Sequence, residues 1–284
     1  MSIAGLALVL ITVALAAGMI VCNKWIRKVT NCYFFWLAIA VFCLTWLIMF
    51  RFRYDWAAYG EWIKEGGFTD PSSEIQSRAI SKAFLLDVCP FAAFTINALL
   101  IVDPTRKAAR AFAPAALIGG AFTIIGVMFA EPPAELTWEF IFIGIAPNRC
   151  YFIMHFMQVM VALGVMLNTP RNGWKGFLAS LLATIFIYSY VGIVMTITGC
   201  RWYCSGLAIN DWESGEYSFA AQIFGLPPKL APYIAIPLLF ALGAGFIALK
   251  DYVFGSGHWD YGNAFSKKWY AWYDYKKHVV QKIL

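Results

Sequence analysis

Seven apolar runs, each about 18 to 24 residues long, divide this 284-residue chain: 3–22, 32–50, 83–102, 111–130, 150–167, 176–199 and 230–249. A hydrocarbon layer of roughly 30 Å is crossed by about 20 helical residues. Lipid offers the backbone no hydrogen bonds, so a crossing segment must satisfy its own amides, which a helix does. The run lengths therefore predict an all-α, polytopic membrane bundle of seven transmembrane helices. This domain covers residues 1–250, and an aromatic and basic interfacial tail follows over 251–284. Only 13% of the residues are charged, about half the share of a soluble domain. The 22 lysines and arginines are dispersed between apolar runs, without a basic stripe that interleaves aromatics. That excludes a nucleic-acid partner.

The opening "MSIAGLALVLITVALAAGMIVCNKW" has no basic residue before its apolar run, and the run is too long for a signal core. Ile20 and Val21 before Cys22 do not fit a lipoprotein cleavage box. A retained first span is expected; cleavage near Ala17 would leave six. Placing the N-terminus outside puts Lys24, Arg27, Lys28, Arg106, Lys107, Arg110, Arg171, Lys175, Lys250 and the tail lysines on the inner side. Lys/Arg excess marks the cytoplasmic face, so the topology is N-out and C-in, in the plasma membrane. Residues 54–65 place Trp56, Tyr59, Trp62 and Ile63 on one face of a short outer-leaflet helix. Residues 140–146, "FIFIGIA", are too short to span. The tail "KKWYAWYDYKKHVV" has the composition of an anchor at anionic headgroups.

An ionisable residue inside a span is a functional-site hypothesis by default, because burying it is expensive. His155, in "CYFIMHFMQVM", is the one span histidine; His258 and His278 fall in the tail. The plain alternative is an imidazole bonded to a neighbouring helix. Cys89 and His155 lie on spans that run the same way, each roughly 8–9 Å below the outer boundary. A thiol level with an imidazole suits nucleophilic catalysis, although a free cysteine commonly packs as a small hydrophobe, the reading given to Cys43. Asp87, two residues before Cys89, faces nearly the opposite side of the helix and would bond a neighbouring helix, Arg51 or Arg53. Asn97 is on the side of Cys89 but deeper, and Gln158, one turn below His155, would orient the ring. These three are supporting residues.

Cys200 and Cys204, with Cys150, lie outside; the first two would form a disulfide if the helix ended there. No histidine or further cysteine pair has zinc-ligand spacing, so no metal is expected. No glycine-rich phosphate loop or serine elbow is present, and no cofactor is expected.

The motif order resembles the YwaF-like family of bacterial integral membrane proteins, over roughly residues 80–250. Its "LPLxxC"-type motif corresponds to Leu85-Leu86-Asp87-Val88-Cys89 after Phe84. Then come a basic loop, "DPTRKAAR", a span with Gly119-Gly120, and "YFIMHFMQ" with His155. Thr198-Gly199 followed by Trp202 and Tyr203 comes next, and Pro232-Tyr233-Ile234-Ala235-Ile236-Pro237 opens the last span. Two departures stand out: Leu85 replaces the usual proline, with Pro90 after the cysteine instead, and Cys200-Arg201 stand where an asparagine is usual. Animal relatives of that family are Cys/His acyltransferases acting on ether phospholipids. The resemblance implies Cys89 as acyl-accepting nucleophile and His155 as its base. A phospholipid acyltransferase of the outer leaflet is the first expectation, with Arg149, Arg201 and Tyr233 at the lipid headgroup. A non-enzymatic subunit or scaffold, whose tail binds a protein partner, is the alternative. A transporter is the third; its paired half-membrane repeats are not convincing here.

Overall fold

The computed structural model describes residues 3–30, 32–64, 74–126, 137–143, 150–169, 174–201, 204–205, 207 and 231–254. The described helices are α1 (Ile3–Val21), α2 (Asn23–Thr30), α3 (Tyr33–Leu47), α4 (Arg53–Lys64), α5 (Glu74–Ala83), α6 (Val88–Val102), α7 (Lys107–Gly126), α8 (Trp138–Phe142), α9 (Tyr151–Asn168), α10 (Trp174–Thr198) and α11 (Ala231–Phe254). A π-helical turn, Ile48–Phe52, joins α3 to α4. No sheet forms among the described residues.

Six helical stretches are long and apolar enough to cross a membrane: Ile3–Val21, Tyr33–Ala57, Ser77–Val102, Lys107–Gly126, Tyr151–Asn168 and Trp174–Thr198. The chain is a multi-pass helical membrane protein. The expected seventh crossing at 230–249 falls on α11, whose apolar portion Pro237–Lys250 is shorter. Residues 54–65 correspond to α4, and the short run at 140–146 contributes α8, with 144–146 outside the described residues. The tail beyond residue 254 is also outside them.

Helix α7 is the hub, packing on α6, α9, α10 and α11. Its buried face is Ala109, Ala113, Ala115, Ala116, Gly119 and Gly120. In lipid no hydrophobic force drives helices together, so small residues that let backbones meet supply the contact. A Cβ on Gly120 would stand 2.8 Å from Val159 Cγ2 and 3.0 Å from the His155 carbonyl oxygen. The α7–α9 approach thus depends on glycine at that position. Cys43 is buried in the core beside Trp36, Ala92 and Ala162, as a small hydrophobe packs.

Two arginines assigned to the inner side cap helix ends instead of reaching water. Arg106 donates to the Thr30 carbonyl at the end of α2 at 2.9 Å, and its guanidinium lies 5.8 Å from the Trp36 ring centre. The Trp36 indole donates to the same carbonyl. Arg110 donates to the Met166 carbonyl at 2.9 Å and to the Thr169 carbonyl, closing the C-terminus of α9. Helix C-termini leave carbonyls unsatisfied and carry partial negative charge, so guanidinium groups suit both needs.

The span expected over 83–102 is not one helix. α5 ends at Ala83, residues 84–87 turn, and α6 starts at Val88. Leu85 has φ 52° there, a left-handed conformation that costs a residue with a Cβ roughly 1–2 kcal/mol. Cys89 is therefore in the first turn of α6, just after a break inside the apolar stretch Ser77–Val102, and not two turns into an unbroken helix.

Replacing Arg110 with alanine strips the α9 carbonyls of their donor. Thermal unfolding in detergent micelles is expected to show a loss of roughly 2–3 kcal/mol, with Arg110→Lys recovering part of it. An unchanged melting temperature in Arg110→Ala would contradict this capping role.

Candidate functional site

Four helix ends and the π turn, with the middles of α10 and α11, converge on a cavity of about 600 Å³. Its polar lining is Arg51 from the π turn, Lys82 from α5, Asp87 and Cys89 at the start of α6, Thr123 near the end of α7, and Tyr151 and His155 in α9. Tyr188, Ser205 and Phe240 close the far side. The site lies where helices begin, break or end, which is where a bundle holds polar groups with the least apolar packing around them.

The break before α6 is fastened by side chains from distant segments. Tyr190 donates its hydroxyl to the Phe84 carbonyl at 2.7 Å, and Ser205 donates its hydroxyl to the Leu86 carbonyl at 2.5 Å. Asp87 forms an ion pair with Lys82 at 3.2 Å and accepts the Ser205 amide at 3.2 Å. The residue expected to face away from Cys89 thus lines the same cavity. Asp87 is the N-terminal cap position with extended backbone, so helical periodicity does not apply to it. Its ion-pair partner is Lys82; Arg51 pairs with Asp55, at 3.9 Å.

The imidazole of His155 is fully buried. Its Nδ1 lies 2.6 Å from the Tyr151 carbonyl. A carbonyl only accepts, so Nδ1 carries the proton and Nε2 presents a lone pair. Nε2 is buried with no hydrogen-bond partner. Fixing one nitrogen to a backbone carbonyl is the usual way to dictate the tautomer and ring orientation. Gln158 does not orient this ring: its Nε2 donates to the Ala116 carbonyl at 2.8 Å and ties α9 to α7. Asn97 donates to the Ala93 carbonyl of its own helix at 2.8 Å and is not part of the cavity lining.

Cys89 Sγ packs against the α7 backbone. A Cβ added at Gly119 would stand 3.1 Å from Sγ and 3.5 Å from Gln158 Nε2. The Thr123 hydroxyl interacts with both the Cys89 thiol and the Tyr151 hydroxyl. Tyr151 sits at the middle of the group, its ring 4.4 Å from that of His155 and 5.7 Å from the Arg51 guanidinium carbon. The structure thus brings Cys89, His155 and Asp87 to one cavity, with no hydrogen bond between thiol and imidazole. Catalytic hydrogen bonds are often long in ligand-free sites and tighten around substrate.

The residues expected at the headgroup are placed differently. Arg201 is exposed and does not line the cavity; its amide donates to Ser77 Oγ at 2.8 Å. Arg149 and the side chain of Tyr233 lie outside the described residues. The cations in the cavity are Arg51 and Lys82. The expected disulfide is not formed. Cys200 and Cys204 are buried thiols that form no disulfide, with Sγ atoms 4.0 Å apart, and Cys200 donates to the Ser77 carbonyl at 3.2 Å. The chain turns at Gly199 with φ 67° and sends both thiols inward against α5. The bond to Cys200, with burial, pushes the Cys204 thiol above its ordinary range. Cys150, also buried and without a disulfide, caps α9 in a left-handed conformation with φ 52°.

Reading the sequence alone left Arg51, Lys82, Thr123, Tyr151 and Ser205 out of the site. Tyr151 had a signal: four residues before His155 puts it on the same helix face.

A helical multi-pass membrane protein with a buried polar cavity of acid, base, thiol and hydroxyl groups is the class this fold and site define. By its match over residues 8–254, the chain belongs to the family described as a family of unknown function (DUF5378). It is 33% identical over 166 residues to the "Uncharacterized protein MG135 homolog" of Mycoplasma pneumoniae, covering 56% of this chain and 57% of that one. It is 30% identical over 203 residues to "Uncharacterized protein MG135" of Mycoplasma genitalium, covering 65% of this chain and 71% of that one. No solved structure matches.

Gly119→Val would drive methyl groups into Cys89 Sγ and Gln158. It is expected to destabilise the protein by roughly 1–3 kcal/mol and to slow alkylation of Cys89 by a small thiol reagent. Gly18→Ala, where nothing lies within 4 Å, is the matched control and should do neither.

Proposed function

We propose that this protein is a membrane acyltransferase in which Cys89 accepts an acyl group from a phospholipid and His155 moves the protons. The observation that carries this reading is the unpartnered, buried Nε2 of His155 in the same cavity as the Cys89 thiol. A lone pair held in place by the Nδ1 bond is what a general base requires. The order of motifs shared with the YwaF-like family points the same way. In this reading α11 is the seventh crossing, the N-terminus is outside, the protein resides in the plasma membrane, and the site faces the outer leaflet.

The chemistry proceeds in two balanced halves. Cys89 gives its proton to His155 Nε2, and sulfur attacks the ester carbonyl carbon. The Tyr151 hydroxyl, beside the thiol, would donate to the oxyanion. The ester C–O bond breaks, and the departing lipid oxygen takes the proton from His155. A thioester remains on Cys89. An acceptor hydroxyl then gives its proton to His155, attacks the thioester carbonyl, and the C–S bond breaks. His155 returns the proton to sulfur.

Cells fed an alkyne fatty acid are expected to yield label on this protein that hydroxylamine releases. Cys89→Ala abolishes it, and His155→Ala changes its level by blocking formation or turnover of the thioester. Serine at position 89 would give a hydroxylamine-resistant ester or no label. Absence of label on the purified wild-type protein, together with full function in Cys89→Ala, would overturn the enzyme and leave a non-enzymatic subunit whose basic, aromatic tail meets a protein partner.

A further inference from the structure

The seam between α10 and α11 is closed at one end and open at the other. At the closed end Gly245 sits directly on α10: a Cβ there would overlap Leu181 and stand 3.4 Å from Phe177. Towards the candidate site α11 carries Pro237 inside the helix. A proline inside a helix removes one amide bond and bends the axis. The two helices part around a groove of about 800 Å³, a size typical of small-molecule sites, about 300–1,000 Å³.

The groove is built from helical stripes. Ile185, Ser189, Gly192 and Thr196 recur at three- and four-residue spacing on α10, facing Ile234 and Leu238 on α11. The Thr196 hydroxyl donates to the Gly192 carbonyl at 2.8 Å, so its one donor is used within its own helix. The groove ends at Tyr188, which also lines the polar cavity. Neighbouring residues divide the same way: Phe240 and Ser205 belong to the cavity, Ala241 and Leu207 to the groove. The rings of Tyr188 and Phe240 lie 5.7 Å apart and form a partition one ring pair thick. Beyond it are Arg51, Lys82, Cys89 and His155.

An apolar slot that leads to a chamber lined by two cations and one carboxylate, Arg51, Lys82 and Asp87, suits a molecule with a hydrocarbon chain and an anionic head that competes with those ion pairs. Helices that diverge from a tight glycine contact forfeit dispersion energy along the gap unless something of matching shape fills it. We propose that this groove is the acyl-chain subsite for a bilayer phospholipid. The chain enters sideways from the membrane between α10 and α11, and the Tyr188–Phe240 pair is the gate to the polar cavity. This deepens the acyltransferase reading and rests on it for the purpose of the entry. The headgroup passes the ring pair so that its phosphate meets Arg51 and Lys82 and the ester reaches Cys89, while the acyl chain stays in the groove.

The test uses full-length protein in liposomes containing phosphatidylglycerol with a diazirine near the end of one acyl chain. After irradiation, adducts are mapped by mass spectrometry. They are expected to concentrate on residues 189–197 and 234–241 and to fall when unlabelled phosphatidylglycerol is added. Gly192→Trp and, separately, Thr196→Trp fill the groove and should cut those adducts about tenfold, the equivalent of about 1.4 kcal/mol. Adducts on Leu10 and Leu15 of α1, both lipid-exposed, should persist in both variants and report an intact fold. Phe240→Ala opens the partition and should raise labelling at Met154 and Cys89. Adduct density in the groove no higher than on α1, or unaffected by either tryptophan, overturns the proposal. Labelling by a diazirine fatty acid but not by the phospholipid also overturns it, because the chain then arrives free. Groove adducts that persist in Cys89→Ala, with no hydroxylamine-labile label on the wild type, would retain the subsite and remove the acyl-transfer chemistry.

Discussion

A carbonyl oxygen released at a helix end inside lipid has no water to turn to, and at several of its described helix ends this protein answers with a side chain from elsewhere. Arg106 and the Trp36 indole take the Thr30 carbonyl, and Arg110 takes those of Met166 and Thr169. At the other end of the bundle Tyr190 takes the carbonyl of Phe84 and Ser205 that of Leu86. The first group completes helices that would otherwise end poorly. The second permits a break in the middle of an apolar stretch, and that break is what delivers Asp87 and Cys89 to the cavity.

The cavity is surrounded by unfavourable backbone. Leu85, Cys150 and Ser205 all have positive φ, near 50°, without being glycine. Ser205 lines the cavity, Cys150 precedes Tyr151 and Leu85 stands two residues before Asp87; the fourth such residue, Arg106 with φ 61°, is at the other end of the bundle. Such conformations persist only where the surroundings over-determine them, and they gather at functional sites. Here the over-determination is visible: Ser205 is held through both its amide and its hydroxyl, and the Cys150 amide is bonded to the Ile143 carbonyl at 2.8 Å. Strain at these three positions is balanced by packing of α7 against α6 and α9, which Gly119 and Gly120 make close.

Much of the fold was legible because lipid imposes a length on every crossing, and length can be read from the chain. The start of α6 was not, since Phe84, Leu85 and Leu86 are as apolar as the span that follows. What stops the helix there comes from residues 190 and 205, more than a hundred positions away. Cys89 and His155 line one cavity, but the break before Val88 means that the depth counted along an unbroken helix over 83–102 is not what brings them there. The placement of Asp87 was not legible either, because an argument from helical periodicity fails at a residue that is not helical. Arg51 was read as a charge at the end of a span. Its burial depends on a local over-wide turn that composition does not announce. Gln158 and Asn97 were grouped with the site by helix face, yet both spend their donors on backbone carbonyls.

The π turn at Ile48–Phe52 has a consequence for comparing this chain with others. A wide turn accommodates one residue more than an α-helical turn, and one residue in an α-helix is about 100° of rotation. A related chain lacking that residue would align with this one through α3 and α4 across a single gap, arginine against arginine. Its guanidinium would nevertheless be turned about 100° around the helix, away from the cavity. Two chains can therefore agree letter for letter at the mouth of this site and differ in what they can hold there.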